Sequence, residues 1–223
     1  MTGSKDLVDL SVKGGTVADE GLFDAKQAEV GLTGRPLREF PQPEPLEKHG
    51  PATIISMVNQ KGGVGKTTSS INLGACLAEQ GRKVLLVDLD PQGALSAGLG
   101  VTHDEDQVTV YDLMLDNTSS IHSAIKRTNV SGLDLVPANI DLSAAEIQLV
   151  NEVGREQTLG RALRPVRGEY DFIIIDCQPS LGLLTVNALA CSQGVIIPME
   201  CEYFSLRGLA PVSYTHLTLP TTP

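Results

Sequence analysis

The chain has 223 residues, 41% of them hydrophobic and 20% charged, enough to bury the core of one sizeable domain. Its formal net charge of −10 argues against a surface built throughout for nucleic-acid phosphates, because such contacts need clustered Lys and Arg. There is no N-terminal apolar segment of signal-peptide type and no apolar run long enough to span a bilayer, so the reading expects a cytoplasmic protein with no membrane part.

Residues 1–50 show neither a helical nor a strand period. Scattered acids and glycines, then Pro36, Pro41, Pro43 and Pro45, predict a disordered acidic extension with an extended proline-rich end. At residue 51 the pattern changes. The apolar run Thr53-Ile54-Ile55-Ser56-Met57-Val58 predicts a strand over 54–58, and the periodicity from Thr67 to Gln80, closed by Gly81, predicts a helix over 68–80. Between them lies Asn59-Gln60-Lys61-Gly62-Gly63-Val64-Gly65-Lys66-Thr67-Thr68. Strand, glycine loop and helix is the context of a phosphate-binding loop. Gly62, Gly63 and Gly65 let backbone N–H groups approach phosphate oxygens, and the helix turns its positive N-terminal end toward the anion. Lys66 would reach the β- and γ-phosphates of ATP, and the Thr67 hydroxyl would ligate Mg²⁺. One position departs from the general pattern, Gln60 standing where a glycine is usual.

Lys83 to Asp90 predicts a buried strand over 84–88 that ends in two acids, Asp88 and Asp90, followed by a Pro91-Gln92-Gly93 turn. Further strands are expected at 133–136, 172–175 and 195–198, with helical segments at 142–152, 156–164 and 183–190. Asp176 follows four apolar residues at a strand end, the position of a Mg²⁺-holding carboxylate at the edge where open α/β sheets bind ligands. Basic residues cluster only modestly, at Lys126-Arg127 and at Arg161, Arg164 and Arg167. The second group, spaced i, i+3, i+6, would form one basic helix face, for which solvation is the plainer role. Cys76, Cys177, Cys191 and Cys201 lack metal-ligand spacing and read as reduced thiols packing as small hydrophobes. The four histidines are scattered and carry no visible chemistry. The alternation of strands and helices predicts an α/β domain, a doubly wound, mostly parallel sheet of P-loop NTPase type.

Lys61 to Thr68 resembles the deviant Walker A motif of the ParA/MinD class of ATPases. The Asp88-Leu89-Asp90-Pro91-Gln92-Gly93 run resembles the ParA/Soj branch in particular, as do the stretches Cys177 to Ala188 and Glu202 to Gly208. The resemblance covers about Thr53 to Ala210. It implies that Lys61 crosses a two-fold interface to the nucleotide of a partner subunit, that Asp90 orients the attacking water, and that Asp88 supports the Mg²⁺ shell. The candidate catalytic residues are then Lys61, Lys66 and Asp90. Gly62, Gly63, Val64, Gly65, Lys66, Thr67 and Thr68 bind ATP, and Thr67, Asp88 and Asp176 serve Mg²⁺. It further implies a homodimer that binds DNA non-specifically in its ATP state, associates with the nucleoid, and hydrolyses ATP under stimulation by a ParB-type partner. A MinD-like or polar-positioning ATPase acting on a membrane or protein surface is the alternative, of which the Asp-Pro-Gln-Gly run disfavours MinD. A redox ATPase related to the nitrogenase iron protein would need cysteines placed to hold a cluster, and these do not fit.

Pro211 to Pro223 does not continue the helix expected to begin near Ser205. That stretch resembles a translated sequencing adapter. The expected division is therefore an extension over 1–50, an incomplete ATPase domain over 51–210 and a non-native tail over 211–223.

Overall fold

The computed structural model of the chain describes residues 43–101, 107–116 and 118–200. Thr53–Met57 (β1), Val84–Leu89 (β2), Lys126–Arg127 (β3), Leu133–Val136 (β4), Phe172–Cys177 (β5) and Gly194–Ile196 (β6) form one sheet in the order β3-β4-β2-β5-β1-β6. Every pairing is parallel except that of the two-residue edge strand β3 with β4. The helices are Lys66–Glu79 (α1), Ala94–Gly98 (α2), Val110–Leu115 (α3), Ile121–Ala124 (α4), Leu142–Gln148 (α5), Thr158–Leu163 (α6) and Leu183–Cys191 (α7).

The central strands are apolar on both faces, as strands covered by helices on either side must be. Because side chains alternate along a strand, Leu85, Val87 and Leu89 of β2 and Ile173, Ile175 and Cys177 of β5 enter one core. Val84 and Leu86 of β2 and Ile174 of β5 enter the other. The first core is closed by α3 to α7, through residues such as Leu113, Leu142, Leu159 and Leu184. The second is closed by α1 and α2, through Ala78 and Leu95. This is the doubly wound arrangement the alternating pattern predicts.

Helix α1 reaches the sheet through small residues. Its buried positions are Lys66, Ser70, Gly74 and Ala78, one every four residues. A Cβ on Gly74 would lie 3.0 Å from both the Leu133 and the Leu86 side chains, so the absent side chain sets how close the helix lies. At the opposite edge from the glycine loop, Asp171 joins three chain regions. It accepts from the Lys83 N–H (2.8 Å), the Gly50 N–H (3.0 Å) and His49 Nδ1 (2.7 Å). An ionised carboxylate only accepts, so Nδ1 carries the proton there. His49 thus has a structural role that the sequence did not reveal.

Several expectations shift. The predicted strand 195–198 is observed as Gly194–Ile196, and the helix expected over 142–152 ends at Gln148 before a 3₁₀ turn, Leu149–Asn151. The segment expected as one helix over 156–164 is a 3₁₀ turn at Arg155–Gln157, α6, and a second 3₁₀ turn at Arg164–Val166 with Pro165 inside it. Arg161, Arg164 and Arg167 therefore do not share one α-helical face, because proline removes an N–H and blocks the preceding carbonyl. Cys177 packs in the core as expected, whereas Cys76 is exposed on α1. Residues 43–50 contain no helix or strand. The expectations for residues 1–42, for Cys201, for the stretch Glu202 to Gly208 and for the tail over 211–223 lie outside the described residues. No helix among the described residues is long and apolar enough to cross a membrane.

Candidate functional site

Strands β1, β2 and β5 bring their C-terminal ends to one level. The register pairs Met57 with Asp176 and Asp88 with Asp176, so the chain leaves β1 level with both acids. That exit is the glycine loop. Gly63 (φ 77°) and Gly65 (φ 83°) adopt the left-handed region that side chains disfavour, and a Cβ on Gly62, Gly63 or Gly65 would meet nothing within 4 Å. The loop therefore presents bare backbone around an open concavity.

Helix α1 begins at Lys66 with Gly65 as its N-cap, which supplies no side-chain acceptor, and there is no acidic residue in the first turn. The leading N–H groups of any helix lack intrahelical partners, so those of Lys66, Thr67 and Thr68 face the concavity unopposed by a negative side chain. Fourteen residues of helix stand behind them. Val64 is buried and anchors the loop to the domain, whereas Gly62, Gly63 and Thr68 are exposed.

Lys66 is 8% exposed, and its Nζ donates to the Lys61 carbonyl at 3.2 Å, across the loop. Burial lowers its pKa, against the pull of the Asp176 and Asp90 carboxylates. Asp176, 1% exposed, accepts from Thr67 Oγ1 at 2.6 Å and from Ser70 Oγ at 2.9 Å. Burial raises its pKa, and those two hydroxyls and Lys66 work in the other direction. Asp176 lies more than a hundred positions along the chain from both Thr67 and Ser70.

Asp88 is completely buried and points into the turn that follows its own strand. One oxygen accepts from the Ser96 N–H (2.9 Å) and Ser96 Oγ (2.7 Å), the other from the Asp90 N–H (3.2 Å). Asp90 is half-buried; its carboxylate accepts from the Gln92 N–H at 3.0 Å and lies near enough to Lys66 and Asp176 to act on their titration. Asp88 thus holds the Asp90 turn in position.

Lys61 sits on the exposed arm of the loop, with its backbone N–H held by Asn59 Oδ1 at 2.9 Å and its Nζ paired with Glu200 Oε2 at 2.5 Å. The structure brings Lys61 through Thr68, Asp88, Asp90 and Asp176 to one sheet edge. Ser70, Ser96, Asn59 and Glu200 join them and were not singled out from the sequence. Ser70 alone carried a local signal, four residues after Lys66 on the same helix face.

The donor set fits a polyphosphate, given a glycine concavity, free helix N–H groups and a buried lysine. It also fits Mg²⁺, which takes hard oxygen ligands and retains waters and phosphate oxygens: Thr67 Oγ1 and an Asp176 oxygen adjoin one another at the mouth of the loop. Among the described residues no group of three or more His, Cys, Asp or Glu would hold a metal unaided, so such an ion would depend on the phosphate for most of its shell.

A profile of the AAA domain family matches residues 52–219. The chain is 54% identical over 162 residues to the sporulation initiation inhibitor protein Soj of Bacillus subtilis, covering 73% of this chain and 64% of that one. It is 52% identical over 162 residues to the chromosome partitioning protein ParA of Myxococcus xanthus, covering 73% and 57%. The chain thus spans less than two thirds of the length of these curated relatives. Among solved structures, a cobyrinic acid a,c-diamide synthase from Mycobacterium smegmatis with bound ADP and magnesium superposes with a TM-score of 0.71 at 45% identity, covering 74% of this chain and 67% of that one. A plasmid partition protein from Borrelia burgdorferi gives 0.67 at 30% identity, with 74% of each chain covered.

Proposed function

Because this chain belongs to the ParA/Soj-type branch of the AAA domain family, we propose that it is a partition ATPase, which binds ATP with Mg²⁺, dimerises around the nucleotide and hydrolyses it. The observation that carries the reading is the convergence of Lys66, Thr67 and Asp176 on an open glycine concavity at the end of the parallel sheet. Nucleotides enter open α/β folds at that edge.

In this reading the N–H groups of Gly62 to Thr68 and the Lys66 ammonium hold the phosphates of ATP. The Thr67 hydroxyl and Asp176, bonded to each other here, are the groups that would hold Mg²⁺, whose chemistry would be to neutralise charge on the phosphates. Asp90 orients the attacking water, and Asp88 fixes the Asp90 turn from below through Ser96. Lys61 lies on the exposed arm, from which a side chain can reach a second copy across a two-fold axis. The ATP dimer would bind DNA without sequence preference at the nucleoid, and a ParB-type partner would stimulate hydrolysis and release it, so driving chromosome or plasmid segregation. The relative from Myxococcus xanthus is named for chromosome partitioning and the structure from Borrelia burgdorferi for plasmid partition, which supports the segregation part.

The test compares three substitutions in the full-length protein. Lys66→Ala should abolish ATP binding by calorimetry. Lys61→Ala should bind ATP yet remain monomeric in light scattering, and Asp90→Ala should keep the ATP-bound dimer while losing turnover. Wild-type ATP affinity in Lys66→Ala would overturn the nucleotide assignment. A normal ATP-dependent dimer in Lys61→Ala would overturn the trans contact.

A further inference from the structure

The first arm of the glycine loop is tied to the end of β6 and the segment that follows it. The Val58 N–H donates to the Ile196 carbonyl at 3.0 Å, Asn59 Nδ2 donates to the Pro198 carbonyl at 2.8 Å, and Lys61 Nζ pairs with Glu200 Oε2 at 2.5 Å. These three ties differ in kind. Asn59 is 2% exposed and uses both ends of its amide, one on Pro198 and the other on the Lys61 N–H, so it fixes the backbone from which the Lys61 side chain departs. The Lys61 and Glu200 side chains are 41% and 43% exposed. An ion pair in that setting is weak and readily exchanged.

We propose that Glu200 is an intrachain counter-ion that holds Lys61 back until a second copy of this chain offers its bound phosphates in exchange. The proposal rests on the trans role of Lys61 given above and adds a control on it. The pair holds the ammonium on its own chain, and moving Nζ across the interface to a partner's phosphates exchanges it. Exchange of the Glu200 carboxylate for triphosphate oxygens strengthens the contact, since the acceptor carries more charge and is fixed at the interface. A diphosphate offers less. Glu200 therefore raises the threshold for association and sharpens its dependence on the nucleotide. Two-fold symmetry requires both copies to break the pair, which doubles the effect on the dimer.

Sedimentation equilibrium on the full-length protein with Mg²⁺ and a non-hydrolysable ATP analogue tests this. Glu200→Gln should lower the dimer dissociation constant by between about two-fold and thirty-fold, the range expected when two exposed ion pairs no longer have to be broken. Glu200→Ala should move it in the same direction. Analogue affinity of the monomer, measured by calorimetry in the Lys61→Ala background, should be unchanged by Glu200→Gln. The gain should shrink as salt is raised, because screening weakens the pair in the parent protein. A dimer constant in Glu200→Gln equal to or weaker than the parent's overturns the proposal. If that occurs while Lys61→Ala still abolishes the dimer, only the counter-ion role falls; if Lys61→Ala dimerises normally, the trans contact and the counter-ion role fall together.

Discussion

Burial pushes the Asp88 carboxyl from its ordinary 3.8 up to about 6, even though Ser96 and the Asp90 N–H bond to its charged form. The sign of the consequence follows from linkage. A carboxyl whose pKa is higher folded than unfolded binds its proton more tightly in the fold, so ionising it costs stability. That cost is absent below the unfolded value and complete above the folded one. From 3.8 to about 6 it corresponds to about 3 kcal/mol. Asn in place of Asp88 carries no charge to lose, so in nucleotide-free, magnesium-free protein the stability of Asp88→Asn relative to the parent should rise by about 2–3 kcal/mol between pH 4 and pH 7. Urea denaturation at several pH values measures this. A difference that stays flat over the range would mean that Asp88 titrates like an exposed acid.

At the scale of the element, α1 joins the loop to the sheet, and Gly74 sets their separation. Leu at that position would drive a branched side chain into Leu86 and Leu133, whose nearest atoms lie 3.0 Å from the place of a Cβ. Overpacking of this kind costs about 1–3 kcal/mol. In a packed core the Leu86 and Leu133 tips give only slightly, so α1 moves away from β2 as well, which carries Ser70 and Thr67 away from Asp176. Gly74→Leu should therefore lower the urea midpoint and also weaken Mg²⁺-dependent nucleotide binding, whereas Gly81→Ala at the far end of the helix should leave binding intact. Loss of stability with unchanged binding would show that the first turn of α1 is positioned independently of the rest. The short helices α2, α3 and α4 and the strand β3 have no counterpart in the predicted elements, because those helices span less than two turns and two residues show no alternation. The arginines at 161, 164 and 167 show the reverse error, a helical spacing carried across Pro165.

Over the whole molecule, the edge opposite the loop is fastened by Asp171. Burial opposes its charge, yet bonds from the Lys83 N–H, His49 and the Gly50 N–H outweigh that effect and hold its pKa below the ordinary value. Its contribution to stability is present above the ordinary carboxylate range and is lost as pH falls through the lowered folded value. Asp171→Ala leaves backbone donors from two distant segments without an acceptor and should cost on the order of 3 kcal/mol at pH 7, and less at a pH below both values, where the neutral carboxyl of the parent accepts more weakly. Thermal melts at pH 7 and in acid check this. The sequence by itself determined the apolar strands, the glycine loop, the first long helix and the acids at the strand ends, since these depend on local period and on residue chemistry within a few positions. It did not show that Ser70 would bond Asp176 or that Glu200 would meet Lys61. Those pairs exist because the sheet order sets β5 between β1 and β2 and places β6 beside β1, which brings together residues up to 139 positions apart. Only the tertiary structure decided them, because a side-chain contact depends on where the chain returns, and no local pattern encodes that return.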